Sequence, residues 1–368
     1  MFKRYVDKEL VSIMALLRRK KFSVMLFMMV LIISAIILTS FYSDNDVTII
    51  NLDTPILISA NPKIDKIEKS NIVDESSFSS IKARLDHRKK VLADKCNANK
   101  KVTEYHSVYA HEPSRHLMIS NKKRLMYCFL PKVANTNFRR VFLGLEGFVP
   151  KDKVPSVSGY DVYFTLDNTF KYLKDFNQQQ QKEMLKNFKK FIVVREPLER
   201  LLSGYRNKFF HPNQAHRDEY HNRVARFYRE HPSLKKKHNM DTNFQKRSIT
   251  FKEFLIYWSD SFEVKEYVNE HFTPNSELCN PCSYDFDYII RYENLDEETK
   301  YVFDDLNLGI QFPSRNDNYS SIATSALVDE FYTSVDSWIL RKVWSILQWD
   351  FNYFSYTLPV WYLEKIKT

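Results

Sequence analysis

Glycine is scarce in this chain, which has only 5 glycines among its 368 residues. Neither of the two common glycine-rich phosphate-binding patterns, G-x-x-x-x-G-K-[ST] and G-x-G-x-x-G, occurs in the sequence. This absence argues against a kinase or nucleotide hydrolase built on a glycine-rich loop. Any phosphate site in this chain has to be made in another way.

Cysteine is also sparse, since the chain has four cysteines: Cys96, Cys128, Cys279 and Cys282. The last two form a C-x-x-C pattern, but no second C-x-x-C accompanies it, so a structural zinc site is weakly supported. We favour structural disulfide bonding instead. Four oxidised cysteines allow three pairings, and the sequence does not choose among them.

The chain is basic, with a formal net charge of +10 and a pI of about 9.1. Such a charge indicates a polyanionic partner: nucleic acid, anionic lipid, an acidic glycan or a phosphorylated cofactor. The length of 368 residues is sufficient for a sizeable core. Aromatic residues, which make up 15% of the chain, can fill it.

An uncharged, apolar run from Phe22 to Ser43 follows a basic N-terminal segment. Its length of roughly 20 residues matches the hydrocarbon core of a bilayer, and the basic flank favours a cytosolic N-terminus. We predict a single-pass type II anchor, with a cleaved signal peptide as the alternative. The predicted regions are a cytosolic tail at 1–21, a transmembrane segment at 22–43, a stem at 44–95 and a lumenal domain at 96–368. Such an anchor conflicts with nucleic-acid binding.

Short apolar runs alternate with helical patterns beyond the predicted stem. The strand candidates are Leu125–Leu130, Val162–Leu166, Phe191–Val194 and Tyr288–Arg291. The helix candidates are Asn135–Glu146, Gln178–Lys189, Pro197–Phe210, Thr250–Trp258, Asp296–Leu306 and Leu327–Gln348, preceded by an amphipathic helix between Asp74 and Lys95. This alternation predicts an α/β fold, a P-loop-like nucleotide-binding core with a parallel sheet flanked by helices.

The segment between Phe210 and Ser248 is polar and basic, with little apolar periodicity. It predicts a surface insertion. Its charged residues form either a solvated face or a groove for an acidic substrate.

A first candidate anion site lies in the stretch Leu125–Val141. An apolar run ends at Pro131, Lys132 follows, and a turn with hydroxyl and amide side chains leads into a predicted helix. The first backbone N–H groups of a helix have no partner within the helix and carry partial positive charge. A phosphate or sulfate therefore fits there.

A second candidate site lies in the stretch Phe191–Phe210, where a buried strand ends at Arg195. Pro197 stands at the expected first helical position, and the helix carries Ser203. Arginine offers a bidentate fork to a phosphate, and serine offers a hydroxyl. The alternative is that Arg195 pairs structurally with a nearby glutamate, Glu196 or Glu199. Two such strand ends together suit a nucleotide with phosphate groups at its 5′ and 3′ positions.

Four ordered motifs resemble those of Golgi carbohydrate sulfotransferases, in particular the chondroitin, dermatan and N-acetylgalactosamine 4-O-sulfotransferase group. They are PKVANTN at 131–137, REPLERLLSGYRNKF at 195–209, HFTPNSELCNPCSYDFDYIIRYENLDEE at 271–298 and WDFNYFSY at 349–356. The family usually has other residues at four positions, which are Asn135, Phe138, Arg139 and Phe272. The missing cysteine at position 135 means that the family's disulfide pairings do not transfer directly.

The resemblance implies transfer of a sulfuryl group from 3′-phosphoadenosine 5′-phosphosulfate (PAPS) to a sugar hydroxyl, without a metal. The residues that it assigns to donor binding are Pro131, Lys132, Val133, Ala134, Asn135, Thr136, Asn137, Arg195, Glu196, Pro197, Leu198, Glu199, Arg200, Leu201, Leu202 and Ser203. Lys132 would neutralise the leaving phosphate, and His271 is the candidate general base. Weaker base candidates are His106, His111, His116, Glu196 and Glu199.

The resemblance also implies a Golgi membrane enzyme with an acidic, chondroitin-like or dermatan-like glycan acceptor. The 4-position of N-acetylgalactosamine is the expected target. Glucuronic acid 3-O-sulfation and sulfation of terminal N-acetylgalactosamine remain alternatives, as does a non-catalytic glycan-binding protein of the secretory pathway. Asn318 lies in an N-x-[ST] sequon, consistent with lumenal exposure. The sequence leaves the oligomeric state open.

Overall fold

The structure is a computed structural model, and it describes residues 80–98, 113–210, 214–244, 247–313 and 322–367. The predicted anchor, the cytosolic tail, most of the stem and Asn318 lie outside these residues, as do the base candidates His106 and His111. Within the described ranges, no helix has both the length and the apolar character needed to cross a membrane.

A five-stranded sheet forms the centre of the described chain. Its strands are β1 (Leu117–Ser120), β2 (Leu125–Cys128), β3 (Lys171–Tyr172), β4 (Lys189–Val194) and β5 (Tyr288–Arg291). Their spatial order is β3-β1-β2-β4-β5. Strands β2, β4 and β5 are parallel, whereas β1 runs antiparallel to both of its neighbours.

The prediction of a parallel sheet is therefore wrong for its β1 side, and the sheet is mixed. A short turn joins β1 to β2, with the Arg124 amide donating to the Asn121 carbonyl. So short a connection permits only an antiparallel hairpin, because a parallel crossover needs a dozen or more residues. The parallel half carries both candidate anion sites at its strand ends.

Helices surround the sheet and also form a second layer beside it. They are α1 (Ile81–Ala98), α2 (Asn135–Glu146), α3 (Gln178–Asn187), α4 (Pro197–Lys208), α5 (Gln214–Glu230), α6 (Pro232–Lys237), α7 (Phe251–Glu263), α8 (Asn275–Cys279), α9 (Pro281–Tyr284), α10 (Leu295–Asp305), α11 (Val328–Thr333), α12 (Ser337–Tyr353) and α13 (Val360–Lys367). The described chain is thus α/β, as the alternating patterns predict. Helix α2 has the predicted bounds, and α1 is the helix that was expected before Cys96.

Two hydrophobic cores hold these elements together. In the first, Tyr127 of β2 stacks on Phe191 of β4 at 4.8 Å between ring centroids, and Phe138 of α2 packs 4.8 Å from Tyr127. The second is helical and includes Leu202 of α4 and Phe254 of α7. Helix α4 leads from the end of β4 into the second core, so it connects the sheet to the helical layer.

The strand predicted at Val162–Leu166 is wrong, because a single π-helical turn occupies Asp161–Thr165. The Asp161 carboxylate accepts hydrogen bonds from the hydroxyls of Ser158 and Thr165, which stabilises a turn rather than an extended chain. Val162 is buried, but Tyr163 and Phe164 are 40% and 71% exposed, so the run as a whole is not a buried strand.

The surface insertion predicted between Phe210 and Ser248 is also wrong, since helices α5 and α6 occupy most of it. Tyr220, Val224, Phe227 and Tyr228 follow one helical face and are buried in the second core. The many charged residues between them hide this spacing. The long helix predicted at Leu327–Gln348 is divided into α11 and α12, because Asp336 adopts an extended conformation as the N-cap of α12.

All four cysteines form disulfides, as favoured from the sequence, and the C-x-x-C cysteines have different partners. Cys96 of α1 pairs with Cys282 at a Cα–Cα distance of 5.4 Å, and Cys128 of β2 pairs with Cys279 at 6.1 Å. The segment that contains Cys279 and Cys282 is thus attached to the sheet and to α1.

We expect the double change Cys96→Ser and Cys282→Ser to lower the free energy of unfolding by about 2–5 kcal/mol, because it removes a covalent link across a long loop. The linked cysteines are 186 residues apart. Urea unfolding under non-reducing conditions measures the change, with a thiol assay to verify that the Cys128–Cys279 bond remains. An unfolding free energy equal to that of the unchanged protein would contradict this role.

Candidate active site

The loop after β2 has a strained backbone without any glycine. Lys132 and Ala134 adopt left-handed conformations with φ of 75° and 63°. Such conformations cost on the order of 1–3 kcal/mol for residues other than glycine and persist only where the surroundings enforce them. Ala134 is also the N-cap of α2 and has no side chain that can cap the helix. The first N–H groups of α2 are therefore available for an anion.

The two candidate anion sites meet through Arg195. Its guanidinium donates a hydrogen bond of 3.0 Å to the Lys132 carbonyl and one of 2.5 Å to the Glu199 carboxylate. It also lies 4.4 Å from the centroid of the Tyr292 ring. The structural pairing with Glu199 is thus present, while the buried Nε of Arg195 has no hydrogen-bond partner in the described part of the chain. Lys132 after β2 and Arg195 after β4, which the sequence places at two separate strand ends, are thus in contact.

Lys132 lies in a concentration of positive charge. Burial, followed by the positive charges of the neighbouring Arg195, Lys208, Arg200 and Arg206, together lower its pKa to about 7. A bound anion would oppose both effects, because an opposite charge favours the protonated amine. The site therefore has the electrostatics of an anion-binding pocket rather than of a balanced ion-pair network.

Arg200 joins the Lys132 loop to the segment that carries His271. Its buried guanidinium donates to the carbonyls of Pro131 at 3.2 Å, Thr273 at 2.7 Å and Glu270 at 3.2 Å. These bonds place His271 next to the loop that follows β2. The Arg200 side chain is thus engaged with backbone carbonyls, and burial lowers its pKa to about 10.

Gly204, one turn beyond Arg200 on α4, allows the same segment to approach closely. An added Cβ would lie 2.8 Å from the His271 carbonyl oxygen and 3.0 Å from the Phe272 ring. No larger residue fits without movement of the backbone, which explains a glycine inside this helix.

Asn269 orients the His271 ring. Its Oδ1 accepts a 3.0 Å hydrogen bond from the His271 backbone amide and lies 2.8 Å from His271 Nδ1. Because the backbone N–H can only donate, this amide atom is the oxygen, and neutral His271 must carry its proton on Nδ1. The lone pair of the imidazole is then on Nε2, as a general base requires.

Glu270 is a residue that the sequence analysis missed. Burial raises the pKa of its carboxyl, while Arg139, Arg200 and Lys208 lower it. Its carboxyl group therefore interacts with two of the cations that surround Lys132, namely Arg200 and Lys208. Its position directly before His271 is the only signal in the sequence. An acidic residue in a polar stretch looks the same as a solvent-exposed surface residue.

Two polar side chains at the start of α2, those of Thr136 and Asn137, already have partners, whereas the buried Oδ1 of Asn135 has none within the described ranges. The Thr136 hydroxyl lies 3.1 Å from that of Tyr163, another residue that the sequence analysis missed. The Asn137 amide donates to the Pro313 carbonyl at 3.0 Å and accepts from Arg140 at 2.5 Å. Binding of an anion by Thr136 would therefore compete with the contact to Tyr163.

The remaining residues assigned to the second motif divide between the core and the helix start. The Glu196 side chain caps α4 by accepting from the Glu199 amide at 2.6 Å, and burial raises its pKa to about 7. Ser203 is half-buried, and its hydroxyl makes no hydrogen bond within the described ranges. Besides Arg195, Glu199 and Arg200, the buried residues of the two motifs are Pro131, Val133, Asn135, Pro197, Leu198, Leu201 and Leu202. His116, a weaker base candidate, is also buried.

The motif at 349–356 supports the motif at 271–298 directly. The buried Asp350 carboxylate accepts hydrogen bonds of 2.7 Å from the backbone amides of both Asn275 and Ser276. These contacts, the disulfides and Arg200 fix the segment around His271 from several sides. Among the described residues, no cluster of three or more His, Cys, Asp or Glu side chains is placed to hold a metal ion.

Comparison with known proteins agrees with the resemblance of the motifs. Residues 115–357 match the family described as "Sulfotransferase family". The chain is 30% identical to carbohydrate sulfotransferase 14 of Danio rerio over 264 residues, which cover 69% of this chain and 67% of that protein. It is 27% identical to carbohydrate sulfotransferase 11 of Mus musculus, over 74% and 76% of the two chains.

A human relative, carbohydrate sulfotransferase 14, is 32% identical over 67% of this chain and 61% of its own length. No solved structure matches the chain. The family assignment therefore rests on sequence similarity that extends across the sheet, both anion motifs and the His271 segment.

We expect Arg200→Gln to lower the free energy of unfolding by at least about 2 kcal/mol, because buried carbonyls would lose their donor. Ser203→Ala on the same helix is the matched control and should change it by less than about 0.5 kcal/mol. Urea unfolding of both variants measures the difference. Equal stability of Arg200→Gln and the unchanged protein would show that Arg200 does not hold the two segments together.

Proposed function

Because this chain belongs to the sulfotransferase family, we propose that it transfers the sulfuryl group of PAPS to a hydroxyl of a glycan. The observation that carries this proposal is the hydrogen bond of Arg195 to the Lys132 carbonyl. It joins two basic strand ends into one region that suits a nucleotide with phosphate groups at both ends of its ribose.

The residues present fit such a donor. The N–H groups at the start of α2 and the ammonium of Lys132 suit the 5′ phosphosulfate. The unpartnered Nε of Arg195 and the hydroxyl of Ser203 are complementary to a 3′ phosphate. The donor supplies the sulfuryl group, and these side chains bind and orient it.

Transfer forms a bond between the sugar oxygen and sulfur and breaks the bond between sulfur and the 5′ phosphate oxygen. Protonated Lys132 stabilises the charge that develops on this leaving phosphate. His271 Nε2 takes the proton of the sugar hydroxyl, and Asn269 keeps the ring in the required tautomer. Negative charge thus moves toward the cations around Lys132, which lowers the barrier.

We further propose that the acceptor is the 4-position of N-acetylgalactosamine in a chondroitin-type or dermatan-type chain. The relatives named carbohydrate sulfotransferase and the net charge of +10 support an acidic glycan. Glucuronic acid 3-O-sulfation and sulfation of terminal N-acetylgalactosamine are the competing outcomes of an acceptor panel with labelled PAPS. A glycan-binding protein without activity would give no labelled product in that panel.

The proposed location is the Golgi membrane, with a type II anchor at 22–43, a stem at 44–95 and a lumenal domain at 96–368. The apolar run Phe22–Ser43 and its basic flank support the anchor. The two disulfides support an oxidising compartment, because such bonds are rare in cytosolic proteins.

We expect Lys132→Ala to lower the rate of sulfuryl transfer by a factor of at least about 100, because the leaving phosphate loses its neutralising charge. The measurement is transfer of label from PAPS to desulfated chondroitin, with circular dichroism as a check of folding. The assignment fails if the folded variant transfers label at the normal rate.

A binding control uses the lowered pKa of Lys132. Below pH about 7 the amine is protonated, so affinity for adenosine 3′,5′-bisphosphate should rise as the pH falls through that value. The Lys132→Ala variant should lack this component and keep only the titration of the ligand itself.

We expect His271→Ala to lower kcat by a factor of about 10²–10⁴, the usual contribution of a general base. In the unchanged protein kcat should fall at acid pH as the base is protonated, and the variant should lose this dependence. Glu270→Gln is the matched neighbour and should retain it. If Glu270→Gln loses the dependence instead, Glu270 is the base and His271 is not.

A further inference from the structure

The last turn of α4 carries a lysine to which the donor site assigns no role. Arg200, Gly204 and Lys208 are spaced four residues apart and therefore lie along one face of the helix. Arg200 bonds to the Glu270 carbonyl, and Gly204 contacts the His271 carbonyl. Lys208 continues this line beyond the proposed base and away from the start of α4.

Among the described residues, Lys208 has no carboxylate partner, although it is half-buried. Its ammonium lies 5.6 Å from the centroid of the Tyr220 ring on α5, and it makes no ion pair or hydrogen bond in the described part of the chain. Burial lowers its pKa, whereas the more distant Glu219 and Glu270 raise it. A partly desolvated cation of this kind is stabilised by an anion from outside the protein.

An aromatic cleft adjoins this lysine. It lies between the end of α4, α5, α7 and the segment before His271, and its lining includes Phe209, Tyr220, Arg223, Tyr257, Tyr267 and Phe272. Tyr267 is 60% exposed, which is unusual for so large a ring. A flat, exposed aromatic face such as that of Tyr267 can contact the C–H face of a sugar ring.

Within the described residues, the positive charge of Arg223 is partly neutralised by an ion pair, unlike that of Lys208. It forms an ion pair with Glu219 at 2.7 Å, and its guanidinium lies 5.7 Å from the Tyr220 ring. Of these two described cations, Lys208 is therefore the one that is available to a carboxylate ligand.

We propose that Lys208, Tyr220 and Tyr267 form an acceptor subsite for a uronic acid unit next to the sugar that is sulfated. The carboxylate of the uronic acid binds Lys208, and its ring packs on Tyr267. This inference rests on the proposed function, because the subsite adjoins the proposed base His271. It adds a specificity residue, since Lys208 distinguishes acidic from neutral glycan neighbours.

The position of Lys208 favours the acceptor over the donor. Its positive charge does reach Lys132, whose pKa it lowers. Its ammonium, however, is directed to the Tyr220 ring on α5, and α5 supplies none of the residues assigned to the donor. A contact of Lys208 with the donor's phosphate groups is therefore the competing outcome, and binding of adenosine 3′,5′-bisphosphate separates it from a contact with the acceptor.

The test compares Lys208→Gln with Lys186→Gln, which removes the same charge from an exposed position on α3. Calorimetry measures binding of desulfated chondroitin oligosaccharide, of its carboxyl-reduced form and of adenosine 3′,5′-bisphosphate to the full chain. We expect Lys208→Gln to weaken binding of the carboxylated oligosaccharide by about tenfold, the effect of one lost charge-assisted hydrogen bond. Binding of the other two ligands should change by less than about twofold, and Lys186→Gln should change none of them.

A second variant, Tyr267→Ala, should weaken binding of both oligosaccharides, and circular dichroism verifies that this variant is folded. The inference is overturned if Lys208→Gln weakens both oligosaccharides equally, if it weakens adenosine 3′,5′-bisphosphate, or if the unchanged protein binds neither oligosaccharide. Because these measurements need no sulfuryl transfer, the subsite fails separately from the proposed function, which the labelled-PAPS assay tests.

Discussion

The hydrogen bonds from the Arg200 guanidinium to three backbone carbonyls are the interaction on which the candidate active site depends. One carbonyl belongs to the Lys132 loop, and the other two flank His271. A side chain of α4 thereby fixes the distance between the proposed leaving-group cation and the proposed base. The planar fork of arginine suits this task, because it offers several donors in a fixed geometry that lysine lacks.

Electrostatics and backbone conformation reinforce each other around the loop. The same cations that lower the pKa of Lys132 create a region where an anion is strongly favoured. Arg195 holds the Lys132 carbonyl from one side, which helps to enforce the left-handed backbone at Lys132. Backbone strain and repulsion between like charges are thus both concentrated at the Lys132 loop. A bound anion would relieve the repulsion.

The sequence predicts the local elements of the site well, because clear signals bound them. The apolar run of β2 ends before Pro131, and Pro197 marks the start of α4, so both strand ends and their anion motifs could be found. What it does not predict are contacts between distant segments. The Arg200 bonds, the role of Asn269 and the disulfide partners of Cys279 and Cys282 all depend on how the chain folds back on itself. The run Val162–Leu166 misleads for a related reason, since its apolar character indicates a strand while the Phe164 ring is 71% exposed.

The absence of glycine from the loop after β2 has a consequence for its order before any ligand arrives. Glycine loses more conformational freedom on folding than any other residue. A loop made of lysine, valine and alanine has fewer conformations in the unfolded chain, so less entropy is lost when it is fixed. The left-handed φ angles of Lys132 and Ala134 raise the enthalpy of the folded loop. In return, the loop loses less conformational entropy on folding than a glycine-rich loop would. The result is a phosphate-type loop whose shape is preset by its side chains and neighbours, and which searches for glycine patterns do not detect.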